Sequence, residues 1–248
     1  MLEHITSLKN PKVTTWKSLK DRKGRRETGC FLVEGRKMVE EALASAFPVE
    51  AVLVDDARLE EFTLPAGIPA YSMPGYVLAV VCDTKTPQGI AAIVRMAEVP
   101  LAGKRLVAMD GVQDPGNVGT IWRTADAFGC DGLILLSGCA DPYSAKTVRS
   151  SMGAVFRLPV YTATAGEMKE ALAAAHIPLY GAALRDDTLD ARDVDYTRSA
   201  IAIGSEGRGL TEEMLTLCDR TVRIPMAERC ESLNAAIAAT VLLWEAYR

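Results

Sequence analysis

The sequence predicts an α/β protein in two parts: a smaller α/β domain over residues 1–97 and a parallel-sheet α/β domain over residues 104–248. Two observations carry that prediction. Beyond residue 104, short apolar runs alternate with segments whose apolar residues recur at helical spacing, the pattern of a parallel sheet covered by helices on both faces. Three polar or glycine-rich stretches also stand where an apolar run hands over to a helix, and ligands of open α/β sheets bind at that edge.

In the first part, residues 30–34 read as a strand, 36–46 as a helix and 50–55 as a second strand, with strand-like runs at 78–82 and 89–96. Residues 97–104, with Pro100 and Gly103, read as a linker. The second part reads as strands at 105–109, 132–136, 158–162, 178–184, 200–204 and 221–225. Helices are expected near 118–128, 144–151, 166–176, 211–217 and 233–247.

The first of the three stretches follows Leu106-Val-Ala-Met109, an apolar run of the kind buried on both faces of a parallel sheet. Asp110-Gly-Val-Gln-Asp-Pro-Gly116 is a loop by composition, and Asn117 stands where a helix N-cap belongs. Val118, Ile121, Trp122, Ala125 and Phe128 then mark one apolar helix face, which turns Arg123 to roughly the opposite side. A solvated surface arginine and an arginine presented to an anionic ligand both satisfy that placement.

The second stretch, Gly204-Ser-Glu206-Gly-Arg208-Gly209, follows Ala200-Ile-Ala-Ile203. Its spacing matches neither the dinucleotide fingerprint nor the phosphate loop ending in Gly-Lys-Ser/Thr. A tight turn with a capping glutamate accounts for the glycines and leaves the charges of Glu206 and Arg208 unexplained; a ligand-binding loop accounts for both. In the third, Arg223-Ile-Pro-Met226 leads to Ser232-Leu-Asn234 at the mouth of a long apolar helix. Ser232 suits the N-cap, whereas Asn234 is a mediocre helix former. Ile224 and Met226 suit the wall of a slot or a place in the core.

Composition bounds the rest. A chain of 248 residues, 49% hydrophobic, holds one large domain or two small ones with a proper core. No apolar run approaches the ~20 residues that cross a bilayer, and the N-terminus is no secretory signal. Six cysteines without a Cys-x-x-Cys pair read as reduced thiols of a cytoplasmic protein. Two histidines point away from a histidine-based metal site or triad, and His176 closes a helix just before Ile177-Pro178. The formal charge is −4, yet residues 1–37 hold ten Lys/Arg against four Asp/Glu. The density between Lys17 and Arg26 suits phosphate binding, or else a solvated basic tail.

The three stretches together resemble motifs one, two and three of the SpoU/TrmH family of RNA ribose 2′-O-methyltransferases, knotted enzymes that use S-adenosylmethionine. The resemblance runs from Arg105 to the C-terminus. Upstream, Phe31-Leu-Val-Glu-Gly-Arg36 and Asp83-Thr-Lys-Thr-Pro-Gln-Gly-Ile90 resemble the two ends of the family's substrate-binding domain, and Ser151-Met-Gly-Ala154 is a further family-like segment. The resemblance implies a C-terminal trefoil knot, against the general rule of unthreaded chains, and a ribosomal-protein-like N-terminal domain over 1–97 that binds RNA. It implies S-adenosylmethionine held by the backbone at Gly204, Ile224 and Leu233, with Leu184 and Met226 as apolar walls. Arg123 falls beside the target ribose, as base or as phosphate clamp; because arginine stays protonated, the clamp is the safer role. Asn117, Glu206, Ser232 and Asn234 orient Arg123, the RNA and the loop. No metal is needed. A homodimer is implied, with Ala235, Ala238, Ala239, Leu242 and Leu243 of the last helix available for the interface or for the core. Ribosomal RNA is favoured over transfer RNA. A base methyltransferase of the same knotted kind and a non-catalytic RNA-binding factor are the rivals; both fit less well with all of these polar residues present. A nucleotide-dependent dehydrogenase lacks its Gly-x-Gly-x-x-Gly after the first buried strand.

Overall fold

A computed structural model of the chain describes residues 2–97, 100–185, 187–227, 229 and 232–247. Cys230 and the linker residues Glu98 and Val99 lie outside the described residues. The chain divides into two compact units, Met1–Ala97 with Tyr143–Phe156, and Glu98–Pro142 with Arg157–Arg248.

In the first unit, β1 (Leu2–His4), α1 (Pro11–Ser18), α2 (Arg22–Thr28), β2 (Cys30–Glu34), α3 (Arg36–Ala44), β3 (Val49–Asp55), β4 (Ala70–Met73), α4 (Gly75–Val81) and β5 (Ile90–Arg95) succeed one another. The sheet order is β1-β4-β3-β5-β2, antiparallel where β5 meets β2 and β3, parallel elsewhere. One sheet face packs on Trp16, Leu78 and Val81. On the other, Phe31 meets the ring of Tyr143 at 4.8 Å and that of Phe156 at 6.3 Å, so the later segment completes this unit. The run 78–82, expected as a strand, is helical: Pro74 sets the entry, and Val77, Leu78 and Val81 are buried at helical spacing. Burial outweighed the β-branched composition.

The basic segment folds as α1 and α2. Asn10 caps α1 with a 2.9 Å bond from the Lys12 amide. Arg25 is buried and donates to the carbonyls of Leu19 and Lys20 at 2.7 and 2.9 Å, so it serves the fold. Lys17, Lys20, Lys23 and Arg26 are exposed. The two upstream motifs meet at Glu34, which accepts the amides of Asp83 and Thr84 at 2.7 and 3.2 Å and the Thr84 hydroxyl at 2.6 Å. Arg149 joins them, donating to Asp83 at 3.0 Å.

In the second unit come β6 (Arg105–Asp110), α5 (Pro115–Ala127) and β7 (Gly132–Leu135). After α6 (Ala145–Ser151), which belongs to the first unit, follow β8 (Val160–Thr162), α7 (Ala165–Ala174), β9 (Leu179–Ala182), β10 (Leu189–Asp190), β11 (Ser199–Gly204), α8 (Glu212–Leu217), β12 (Arg220–Arg223) and α9 (Ala235–Tyr247). Among the described residues the sheet runs β10-β12-β9-β11-β6-β7-β8, parallel at each recorded pair. The central strands β6, β7 and β11 are buried on both faces, as near-continuous apolar runs require. Trp122 is fully buried and donates its indole N–H to the Leu158 carbonyl at 2.9 Å. His176 stands just past α7 with φ of +53°.

Three helix starts differ from expectation. α5 begins at Pro115, with Asp114 accepting the Gly116 amide at 2.8 Å; a proline at the first helical position outranks Asn117 as the signal, and Asn117 falls inside the first turn. α8 is capped by Thr211, whose hydroxyl accepts the Met214 amide, so Glu206 is no cap. Asn234, not Ser232, caps α9: its side-chain oxygen accepts the amides of Ala236 and Ile237 at 2.9 and 3.3 Å. Asparagine is as good a cap as serine. The last helix buries Ala235, Ala239, Leu242 and Leu243 within its own unit, while Ile237, Val241 and Trp244 form the exposed apolar stripe. The interface residues named from sequence are therefore mostly core.

Candidate functional site

Neighbouring strands β6 and β11 end in register, Asp110 opposite Gly204, so the first two stretches leave the sheet side by side. Asp110 is buried, and its carboxylate accepts the Thr211 amide at 2.7 Å, tying the end of β6 to the start of α8. Sequence reasoning assigned Asp110 no role; the available signal was a carboxylate closing an otherwise apolar strand.

Between those anchors the loop 205–209 folds back on itself. Ser205 and Gly209 exchange two backbone hydrogen bonds, at 2.9 and 3.0 Å, and Gly209 takes φ of +68°. A side chain at Gly204 would place its Cβ 2.0 Å from the Gly209 carbonyl carbon, so the close return of the loop demands glycine there. The tip Glu206-Gly-Arg208 projects outward and is exposed.

Glu206 accepts a short hydrogen bond from the side-chain amide of Asn117. The Asn117 oxygen accepts in turn from the Asn234 amide at 3.2 Å. The structure thus brings one polar residue from each stretch into a single chain, Glu206–Asn117–Asn234, that runs into the N-terminus of α9.

Beside that chain lies a cleft of about 480 Å³ lined by Leu184, Gly204, Glu206, Ile224, Met226, Ser232 and Leu233, among others. Its volume falls within the ~300–1,000 Å³ of small-molecule sites. Leu184 and Leu233 present exposed apolar surface to it, being 64% and 36% accessible. β9 stops at Ala182, two residues short of expectation, and this release from the sheet lets Leu184 reach the cleft. All five residues expected to hold a cofactor line it, as do Glu206 and Ser232.

Arg123 is not in the cleft wall. It is exposed on α5 and makes no hydrogen bond or ion pair with another described residue. Its helix lies along α9: the Thr124 and Thr240 hydroxyls are 3.5 Å apart and the Phe128 and Trp244 rings 5.9 Å apart. Arg123 therefore stands exposed on the helix that packs along α9.

The described cysteines are free, and burial pushes their thiols upward, to about 12 for Cys82 and Cys130 and about 11 for Cys218. None is poised as a thiolate nucleophile.

Comparison with known proteins decides the affiliation. The model of the SpoU rRNA Methylase family matches residues 104–244, more than half of the chain. The chain belongs to the SpoU rRNA methylase family. Residues 10–92 match the MRM3-like substrate binding domain. Among SpoU relatives, the 23S rRNA (guanosine(2553)-2′-O)-methyltransferase RlmP of Bacillus subtilis is 38% identical over 245 residues, covering 98% of each chain. The 23S rRNA (uridine(2479)-2′-O)-methyltransferase of Streptomyces viridochromogenes is 36% identical, covering 98% of this chain and 91% of its own. The AdoMet-bound rRNA methyltransferase of Sinorhizobium meliloti superposes with a TM-score of 0.88 at 33% identity, over 99% of this chain and 97% of that one. No helix among the described residues is long and apolar enough to cross a membrane.

Proposed function

We propose that this SpoU protein transfers the methyl group of S-adenosylmethionine to a ribose 2′-hydroxyl of ribosomal RNA. The observation that carries this reading is the meeting of the three motif stretches: their polar residues form one hydrogen-bonded chain at the edge of a cofactor-sized, apolar-walled cleft. The residues present fit the cofactor. Gly204 lines the slot where β11 ends, Ile224 and Leu233 flank it, and Leu184 and Met226 supply apolar walls for an adenosyl group. When bound, the sulfonium supplies an activated methyl group.

The protein's task is then orientation. A ribose hydroxyl is a weak nucleophile, and much of the rate comes from aligning it with the methyl carbon. A guanidinium cannot serve as a base at neutral pH, but it grips a phosphate through two parallel N–H bonds. Arg123 clamps the target nucleotide's phosphate in this way. Glu206, Asn117 and Asn234 hold the motif-two loop against the start of α9, and Ser232 faces the cleft. Arg123 lies outside its own chain's cleft, on the helix packed along α9, whose stripe of Ile237, Val241 and Trp244 is exposed. A second copy packed on that stripe completes the site, and the protein acts as a homodimer. The trefoil knot belongs to this reading, with the third motif threaded past the second. The exposed lysines and Arg26 of the first unit contact the RNA, and the protein works in the cytoplasm.

Labelled S-adenosylmethionine incubated with 23S ribosomal RNA from a strain lacking the gene tests this. Digestion to nucleosides should place the label in a 2′-O-methyl nucleoside with wild type and lose it with Arg123→Ala. Because the guanidinium bonds to no described residue, that substitution should change stability by no more than about 0.5 kcal/mol. Label in a methylated base would overturn the ribose chemistry.

A further inference from the structure

The motif-two loop carries two opposite charges, two residues apart, that do not pair with each other. Glu206 is taken by Asn117. Arg208 makes no hydrogen bond or ion pair with another described residue, although it lies in the wall of the cleft. With Ser205 and Gly209 locked together at the loop's base, fastening Glu206 on one side leaves Arg208 held out on a short, anchored tip.

A second guanidinium is placed alike. Arg185 follows Leu184 where the chain leaves β9, and it too lines the cleft and is exposed. Its backbone amide is fixed by the Thr188 hydroxyl at 2.7 Å, which anchors the segment while the side chain bonds to no described residue. A third arginine of the wall, Arg223, differs: it sits in register beside Asp190, whose carboxyl it helps hold low after Arg192. Of the carboxylates facing the cleft, Glu206 is engaged and Glu212 lies in the first turn of α8, where the helix N-terminus favours it. The cleft mouth thus keeps two arginines whose side chains bond to no described residue, in a protein whose formal charge is −4.

We infer that Arg185 and Arg208 bind backbone phosphates of the RNA strand on either side of the target nucleotide, steering it into the cofactor cleft. This inference rests on the function proposed above. Phosphate contacts fix the register of a strand without reading its bases, so these two residues set how the ribose is presented and leave sequence choice to other parts. Arginine suits the role because its planar fork meets two phosphate oxygens at once.

The experiment uses the full-length protein, S-adenosylmethionine and protein-free 23S ribosomal RNA lacking the modification. For wild type, Arg185→Ala, Arg208→Ala and the double variant, KM for RNA, kcat, S-adenosylmethionine affinity by calorimetry, direct RNA binding and thermal midpoint are measured at several salt concentrations. Each single substitution should raise KM for RNA on the order of tenfold at moderate salt. Each should also flatten the dependence of log affinity on log salt by about 0.7, the counterion release of one single-strand phosphate contact. Cofactor affinity and midpoint should hold. Arg208→Lys should recover most of the salt dependence, since a lysine still meets a phosphate as a point charge. Unchanged KM and salt slope in the double variant would overturn the inference, as would weakened cofactor binding with RNA affinity intact. If wild type binds RNA but methylates no ribose, the proposed function fails on its own. The salt dependence of RNA binding then still decides the two arginines.

Discussion

The side-chain amide of Asn234 donates a 3.2 Å hydrogen bond to the side-chain oxygen of Asn117, across 117 positions of sequence. Asn117 spends its own amide on Glu206, and Asn234 spends its oxygen on two backbone amides of α9. An asparagine side chain offers a donor on one side and an acceptor on the other, so each link in this relay is polar-directed. The last helix, the first helix of the unit and the motif-two loop are fixed relative to one another by two amides.

Asn117→Ala removes both links from the middle. Methyl transfer should fall on the order of 10²-fold, the loss that follows from misplacing reacting groups by about an ångström. Stability should drop by about 1–2 kcal/mol. Single-turnover kinetics beside thermal unfolding would separate the two effects; a rate loss no larger than the stability change explains would remove Asn117 from the orienting machinery.

Asn234 and Ser232 differ in what they do for the helix. Asn234→Ala should cost about 1 kcal/mol through the lost cap, a shift of about 2–4 °C in a chain of this size. Ser232→Ala should leave the midpoint in place, because Ser232 stands outside the helix it was expected to cap. Equal shifts in the two variants would contradict the observed start of α9.

Replacing Trp244 with Asp puts a charge on the exposed stripe of α9. Sedimentation should report a dimer for wild type and a monomer for Trp244→Asp, with methyl transfer lost alongside. Mixing Arg123→Ala protomers with Gly204→Ala protomers should restore activity that neither has alone, if each site draws its arginine from the other copy. No restoration in a mixture that forms mixed dimers would place Arg123 in its own subunit's site.

Burial raises the thiols of Cys82 and Cys130 to about 12 from an ordinary 9.0. A group whose folded value lies above its unfolded value stabilises below the unfolded value and loses that contribution as pH rises toward the folded one. Stability should therefore hold to about pH 8 and decline across pH 9–12. Thiol reagents at pH 8 should label these two cysteines only after unfolding; rapid labelling of the native protein would contradict their burial.

The centre of the second unit's sheet was legible because β6, β7 and β11 are apolar on both faces, and nothing else in a chain of this composition explains runs such as Leu106–Met109. The two-residue edge strand β10 carries no such run and was not read. The cleft residues were legible only as a resemblance: Leu184 and Leu233 look like ordinary apolar positions until the backbone turns them outward. Helix starts were misread where two good caps stood close together. Asp114 beside Pro115 competes with Asn117, and Asn234 competes with Ser232; propensity alone does not rank such neighbours. The helix at Gly75–Val81 was hidden by valines, whose β preference yields to a buried face. Asp110 left one local trace, a carboxylate closing an apolar strand, whereas the roles of Arg185 and of the exposed stripe of Ile237, Val241 and Trp244 depend on how distant segments are placed.

The first unit is not a continuous piece of chain: Tyr143–Phe156 comes back to it after residues 98–142 have been laid into the second. On the ribosome this imposes an order of events. When residue 97 emerges, the Phe31 face has only part of its cover, Phe47 and α3, because Tyr143 and Phe156 do not yet exist. At about 5–20 residues per second, roughly 60 residues of waiting amounts to about 3–12 s. During that interval β6, α5 and β7 emerge, still without β11, the neighbouring strand of β6, and α9, against which α5 packs. The first unit can therefore close only once residue 156 is made, while the second still waits for residues 157–248, and a nascent chain stalled before residue 156 leaves part of an aromatic surface open to other molecules.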